Sequence, residues 1–132
     1  MRHPLAAALL GLVVGFLVVM GIELLGHFLF PVPFQATMEN IEEYMSQIPV
    51  GSLLMVNLAH FLGGAFAIIT VLKLSNKKLP AYIIAVVFFA ATVFNLFVIT
   101  HPVWFTIADV AAVILGLVLA FKLVKLKEDP IA

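Results

Sequence analysis

Four long apolar runs, separated by short polar breaks, make up most of this chain. They cover about 5–30, 51–74, 80–100 and 103–124. A bilayer core about 30 Å thick is crossed by ~20 apolar residues in a helix, so each run predicts a transmembrane helix. The first is long enough to tilt or to project past the hydrocarbon. Arg2 gives it the short basic start of a secretory signal. The run nevertheless outlasts the ~7–15 apolar residues of such a signal. It also ends at Gly26-His27-Phe28-Leu29-Phe30-Pro31 rather than at small residues suited to cleavage, so a retained helix is expected.

A second periodicity lies between the first two runs. Pro31-Val32-Pro33 stops the first helix, because proline lacks the N–H and clashes with the preceding turn. From Gln35 to Gln47, Met38, Ile41, Met45 and Ile48 recur every three or four residues, with Glu39, Glu42 and Glu43 between them. That pattern predicts a short amphipathic helix over about 35–47, lying on the membrane surface and ended by Pro49-Val50-Gly51. Its acidic face either gathers cations or keeps the helix wet. The expected fold class is all-α: a four-helix transmembrane bundle with a short amphipathic helix in the loop between spans 1 and 2. One integral membrane domain over 1–132 is expected at this length.

Composition sharpens the solvent assignment. Of the 132 residues 64% are hydrophobic and only 11% charged, against about half apolar and about a quarter charged in soluble domains. A chain this short could not hide so much apolar surface in a soluble core, so lipid is the expected partner. There are no cysteines, which removes disulfides, thiolate ligands and thiol chemistry. No nucleotide-binding, haem-attachment or nucleic-acid motif is present, and no nucleic-acid partner is expected.

Charge gives the chain a direction. Arg2 precedes the first run, Lys73, Lys77 and Lys78 follow or close the second, and Lys122, Lys125 and Lys127 follow or close the fourth. The opposite side has no Lys or Arg. The positive-inside rule then predicts a multi-pass cell-membrane protein with both termini and the Ser75-Asn76-Lys77-Lys78 turn cytoplasmic. The Pro31–Val50 connection and the His101-Pro102 turn face outward. Small residues mark the expected seams, since lipid supplies no hydrophobic drive between helices. They are Ala7, Gly11 and Gly15; Ala59, Gly63 and Ala67; and Ala108, Ala112, Gly116 and Ala120. Such stripes serve packing within one chain, a homo-oligomer or a membrane-protein partner. Trp104 suits an interfacial anchor.

The polar residues inside the runs gather by depth. At 1.5 Å per residue, Glu23 lies about 9 Å outside the midplane, His27 about 15 Å and Asn57 about 8 Å. On the same scale His60 lies about 3 Å out, Asn95 about 8 Å, Asp109 about 6 Å and His101 about 16 Å. All fall in the outer half; the inner half holds no ionisable residue. Glu23 and His27 share a face that continues to Gly15, Gly11 and Ala7, so the pair is expected to point into the bundle. Asn57, His60 and Gly64 share another face, and Asp109 aligns with Gly116.

A charged side chain at mid-membrane costs at least ~2.5–3.5 kcal/mol on insertion scales, so such groups pair or carry function. Glu23, His27, His60 and Asp109, with His101 as a further donor, form a candidate ligand set for a divalent metal such as Zn, Mn or Fe. Asn57, Asn95 and His101 would then form its surround or gate. The local helix signatures His-Glu-x-x-His and Glu-x-x-His are both absent. The same residues suit a proton relay, but a conduit should reach the cytoplasm, and the inner half is dry. A third reading is a site for a lipophilic molecule, with a carboxylate–histidine pair as general base and the surface helix as lid. No nucleophile motif supports acyl transfer: Ser46 and Ser52 lie at the outer surface and Ser75 at the inner one. Whether the chain is an enzyme stays open, a metal-dependent membrane enzyme being one form it could take. The remaining alternatives are an accessory subunit whose polar layer only sets helix packing, and a component of a proton-coupled transporter.

Asn57-Leu58-Ala59-His60 followed by Gly63-Gly64, and Asn95 ahead of His101-Pro102-Val103-Trp104-Phe105, carry one resemblance. With this His-Pro-x-Trp-Phe turn, the chain resembles small uncharacterised bacterial four-helix integral membrane proteins over most of its length. The resemblance implies the fold and no activity.

Overall fold

Prolines and one left-handed asparagine set the boundaries of the helices. In the computed structural model, residues 3–127 are described; Arg2, counted above among the basic residues, lies outside them. α1 (Pro4–Leu29) opens on a proline, whose missing N–H would have been unpaired at that position anyway. It stops at Phe30, immediately before Pro31. α2 is Ile41–Gln47, and α3 (Val50–Ser75) starts directly after Pro49. α3 closes on Asn76 at φ 54° and ψ 26°. Asparagine tolerates this region better than most residues because its short amide can bond locally. α4 (Lys78–Val98) and α5 (Val103–Leu123) complete the set, with Pro102 capping α5.

Four of these five helices are long and apolar enough to cross a membrane, and no strand occurs among the described residues. The chain is an all-α, multi-pass membrane protein. α2 is shorter than the helix expected over 35–47. Residues ahead of it are held in a turn instead: Thr37 N–H donates to Asn40 Oδ1 at 2.6 Å, and Asn40 Nδ2 donates to the Gln35 carbonyl at 3.0 Å. Asparagine and threonine side chains offer the backbone these local partners in competition with helix, which is why the apolar periodicity alone overran. α2 has no buried residue, and Met38 is 90% exposed.

α3 is the centre of the bundle. α1, α4 and α5 all pack on it, α4 also touches α1 and α5, and α1 does not reach α5. The reason lies in α3's small residues. Ala59 and Ala67 are wholly buried, and Gly63 and Gly64 between them are buried too. A methyl added to Gly15 would lie 2.9 Å from the Gly63 carbonyl oxygen, and one added to Gly63 would lie 3.0 Å from that of Gly15. Two backbones this close leave no room for side chains, so the α1–α3 seam requires glycine on both sides. On α5, a methyl at Gly116 would fall onto the Phe61 carbonyl, with Phe61 Cα at 3.2 Å. These glycine positions are therefore occupied within one chain.

On α5 the buried face is Phe105, Asp109, Val113, Gly116, Leu117 and Ala120. Ala108 and Ala112, expected in the seam, are turned aside and only partly buried. The inner end of the bundle is filled mainly by apolar residues, among them Ile68, Val71, Leu72, Ile84 and Val113, with Ser75 buried at its edge. There Asn76 Nδ2 donates to the Lys127 carbonyl at 3.0 Å while Lys127 N–H donates to Asn76 Oδ1 at 2.8 Å, pinning the segment after α5 to the α3–α4 turn.

Candidate functional site

The close seams decide which polar groups meet. Asp109 lies on the buried face of α5, seven residues ahead of Gly116, and Gly116 crosses α3 against the residue next to His60. Without a side chain at that crossing, α5 comes near enough for Asp109 to reach across. Both its carboxylate oxygens lie beside His60 Nδ1, at 2.8 and 2.9 Å. Asp109 is 0% exposed and His60 6%. With Asp109 as a carboxylate, which can only accept, the ring proton of this pair belongs on Nδ1. A charge-assisted bond of this length is about twice as strong as a neutral one.

That bond fixes what the other ring nitrogen can do. Nε2 is turned toward α1, where Glu23 Oε1 lies 4.0 Å away. The distance is too long for a direct hydrogen bond and short enough for one bridging water or a small rotation of Glu23 to close. Glu23's side chain is 37% exposed, unlike the other two. The three groups therefore form a graded chain: a sealed carboxylate on α5, a buried imidazole on α3, and a carboxylate on α1 with access to the outside of the bundle.

The other residues of the expected layer take different places. His27 is exposed, one turn beyond Glu23, and is not joined to the chain. His101 donates from Nδ1 to the Ile99 carbonyl at 2.6 Å and stacks on Phe105, with ring centroids 4.7 Å apart. It shapes the α4–α5 turn. Asn95 is half-buried on α4 and joins none of these bonds. Asn57, one turn outward of His60, holds the one buried side-chain polar atom without a hydrogen bond among the described residues, its Oδ1. No three His, Asp or Glu side chains among the described residues are gathered as a metal-ligand group. The geometry brings together Glu23, His60 and Asp109 from the expected set, in a line rather than around a point.

Sequence reasoning did not find the cavity that meets this chain. A cleft of about 480 Å³ opens between α1 and α4, lined by Leu12, Phe16 and Val19 on one side and Phe88, Ala91 and Thr92 on the other, with His60 in its wall. Thr92's hydroxyl donates to the Phe88 carbonyl at 3.2 Å, so His60 is the ionisable group that the cleft meets. An apolar lining has no sequence signature that sets it apart from lipid-facing residues.

The arrangement can hold and exchange one proton. With Asp109 ionised and Nδ1 protonated, a single further proton can reside on either Nε2 or the Glu23 carboxylate, and moving it between them leaves the total charge unchanged. Among the described residues no side-chain hydrogen bond leads it inward. The hydroxyls of Thr70 and Thr92 donate to carbonyls one turn back on their own helices, Ser75's does the same near the inner end, and the packing between is apolar. No protein family, curated protein or solved structure matches the chain.

Proposed function

We propose that this membrane protein carries an intramembrane acid–base site, in which one proton exchanges between His60 Nε2 and Glu23 while Asp109 serves as the fixed counter-charge. The observation that carries this reading is the placement of both Asp109 oxygens on His60 Nδ1, which commits one ring nitrogen and leaves the other for exchange. Carboxylate–imidazole pairs built this way are the usual acid–base devices of proteins, the carboxylate holding the tautomer and stabilising the imidazolium. The site opens to the outer half of the bilayer and exchanges protons locally instead of conducting them across. The orientation rests on the lysines at the α3–α4 turn and after α5, with α2 as a surface helix on the far side.

Nuclear magnetic resonance of the protein with ¹⁵N-labelled histidine, in lipid nanodiscs, tests the exchange. The His60 Nδ1 signal is that of a protonated nitrogen hydrogen-bonded to Asp109, and Glu23→Gln changes the Nε2 signal at fixed pH. An Nε2 signal indifferent to Glu23→Gln ends the proposal. The cysteine-free sequence allows a clean test of orientation: Ser46→Cys reacts with an impermeant maleimide on intact cells and Lys78→Cys does not. The reverse pattern turns the site toward the cytoplasm.

A further inference from the structure

The middle member of the acid–base chain, His60, stands in the wall of the α1–α4 cleft, and this says what the cleft is for. Its volume, about 480 Å³, falls within the range of small-molecule sites, roughly 300–1,000 Å³. Such sites are mostly apolar with very few placed polar groups, and here the placed group is His60. The side chain is more than nine-tenths buried, yet its Nε2 has no hydrogen bond among the described residues beyond the 4.0 Å approach of Glu23.

The cleft also has a direction. Val19 and Thr92 lie at the end near His60, because Gly63, one turn inward of His60, packs against Val19. Leu12 and Val87 lie at the other end, a few ångströms past the midplane on the inner side at about 1.5 Å per residue. From Leu12 to Val19 the helix rises about 10 Å at 1.5 Å per residue, the length of a medium alkyl chain. A molecule placed here has its head at His60, in the outer half near the bilayer centre, and its tail across the midplane. Charge then selects the head. Asp109 stands behind the imidazole and Glu23 beside it, so an anionic head would meet carboxylates on two sides. A neutral oxygen head, hydroxyl or carbonyl, can donate to or accept from the exchanging Nε2–Glu23 pair.

We infer that the α1–α4 cleft binds a neutral lipophile by its tail, with a hydroxyl or carbonyl head hydrogen-bonded at His60 Nε2 and Glu23. The inference rests on the acid–base reading for the role of Glu23 and stands on the cleft for its own support. Binding of tritiated decanol to protein-loaded nanodiscs, less that to empty ones, is saturable. A decyl-substituted benzoquinone competes, which places the carbonyl and the hydroxyl on one site, while decanoate at pH 8 and decane compete about tenfold less well, since each lacks a neutral hydrogen-bonding head. Ala91 lines the cleft, is exposed and has no part in the hydrogen-bonded chain. Ala91→Trp therefore abolishes binding while the melting transition and the His60 resonances stay in place. Glu23→Gln keeps a hydrogen-bonding head and keeps binding within about threefold, although it changes the Nε2 signal, so the two readings fail separately. Equal competition by decane, preference for decanoate, or binding untouched by Ala91→Trp overturns the inference. An alcohol-only or quinone-only result supports it and identifies the head.

Discussion

Removing His60 should harm the protein more than removing His60 and Asp109 together. Asp109 is completely buried, and both its oxygens are spent on one imidazole nitrogen. His60→Leu strips that carboxylate of its partner in a packed, apolar setting. Breaking a buried ion pair from one side costs about 3–5 kcal/mol, most of it the penalty of the orphaned charge. Asp109→Ala costs less, the loss of a charge-assisted hydrogen bond of ~1.5–3 kcal/mol, because His60 can shed its charge and the cleft gives Nε2 an opening. The double variant His60→Leu/Asp109→Ala nearly conserves the summed volume and leaves no charge behind. It should be more stable than His60→Leu alone, with a coupling of at least ~1.5 kcal/mol against the sum of the single changes. Equilibrium unfolding of the four proteins in mixed micelles, followed by helical circular dichroism, measures the cycle. Strict additivity, or a double variant less stable than His60→Leu, refutes a charged pair at this position.

Three further outcomes follow from the same geometry. Gly116→Ala drives a methyl into the Phe61 carbonyl and should destabilise by about 1–3 kcal/mol in the same unfolding assay, whereas Gly21→Ala, with nothing within 4 Å, should be neutral or stabilising. At Asn76, Gly keeps the left-handed backbone and loses the two bonds to Lys127, while Ala loses both and adds ~1–2 kcal/mol of backbone strain, so the melting order should be wild type, Asn76→Gly, Asn76→Ala. Elemental analysis of protein purified without chelator should give less than one Zn, Mn or Fe per chain, because Nε2 and Glu23 provide two donors and Asp109 is engaged with Nδ1. One metal per chain, lost in His60→Ala and Glu23→Gln, would replace the acid–base reading with a metal centre.

The sequence by itself determined four apolar helices and their ends, because spanning length, proline positions and hydropathy are local properties that tertiary contacts do not revise. It also selected the polar residues by depth, since rise per residue converts numbering into height. Angle was harder to read. Of the stripe Ala108, Ala112, Gly116 and Ala120, α5 fully buries Gly116 and Ala120 but turns Ala108 and Ala112 aside in favour of Asp109 and Val113, a rotation that only contact with α3 decides. Depth likewise gathered Glu23, His27, His60, Asp109 and His101 into a layer without saying which would touch. Tertiary structure made that choice through the glycine crossings at Gly15–Gly63 and Gly116–Phe61, which bring α1 and α5 to opposite sides of α3 and aim Glu23 and Asp109 at the two nitrogens of one ring. His27 and His101 have the right chemistry at the right height, and they stand outside the chain: His27 is exposed, and His101 is bonded to the Ile99 carbonyl and stacked on Phe105.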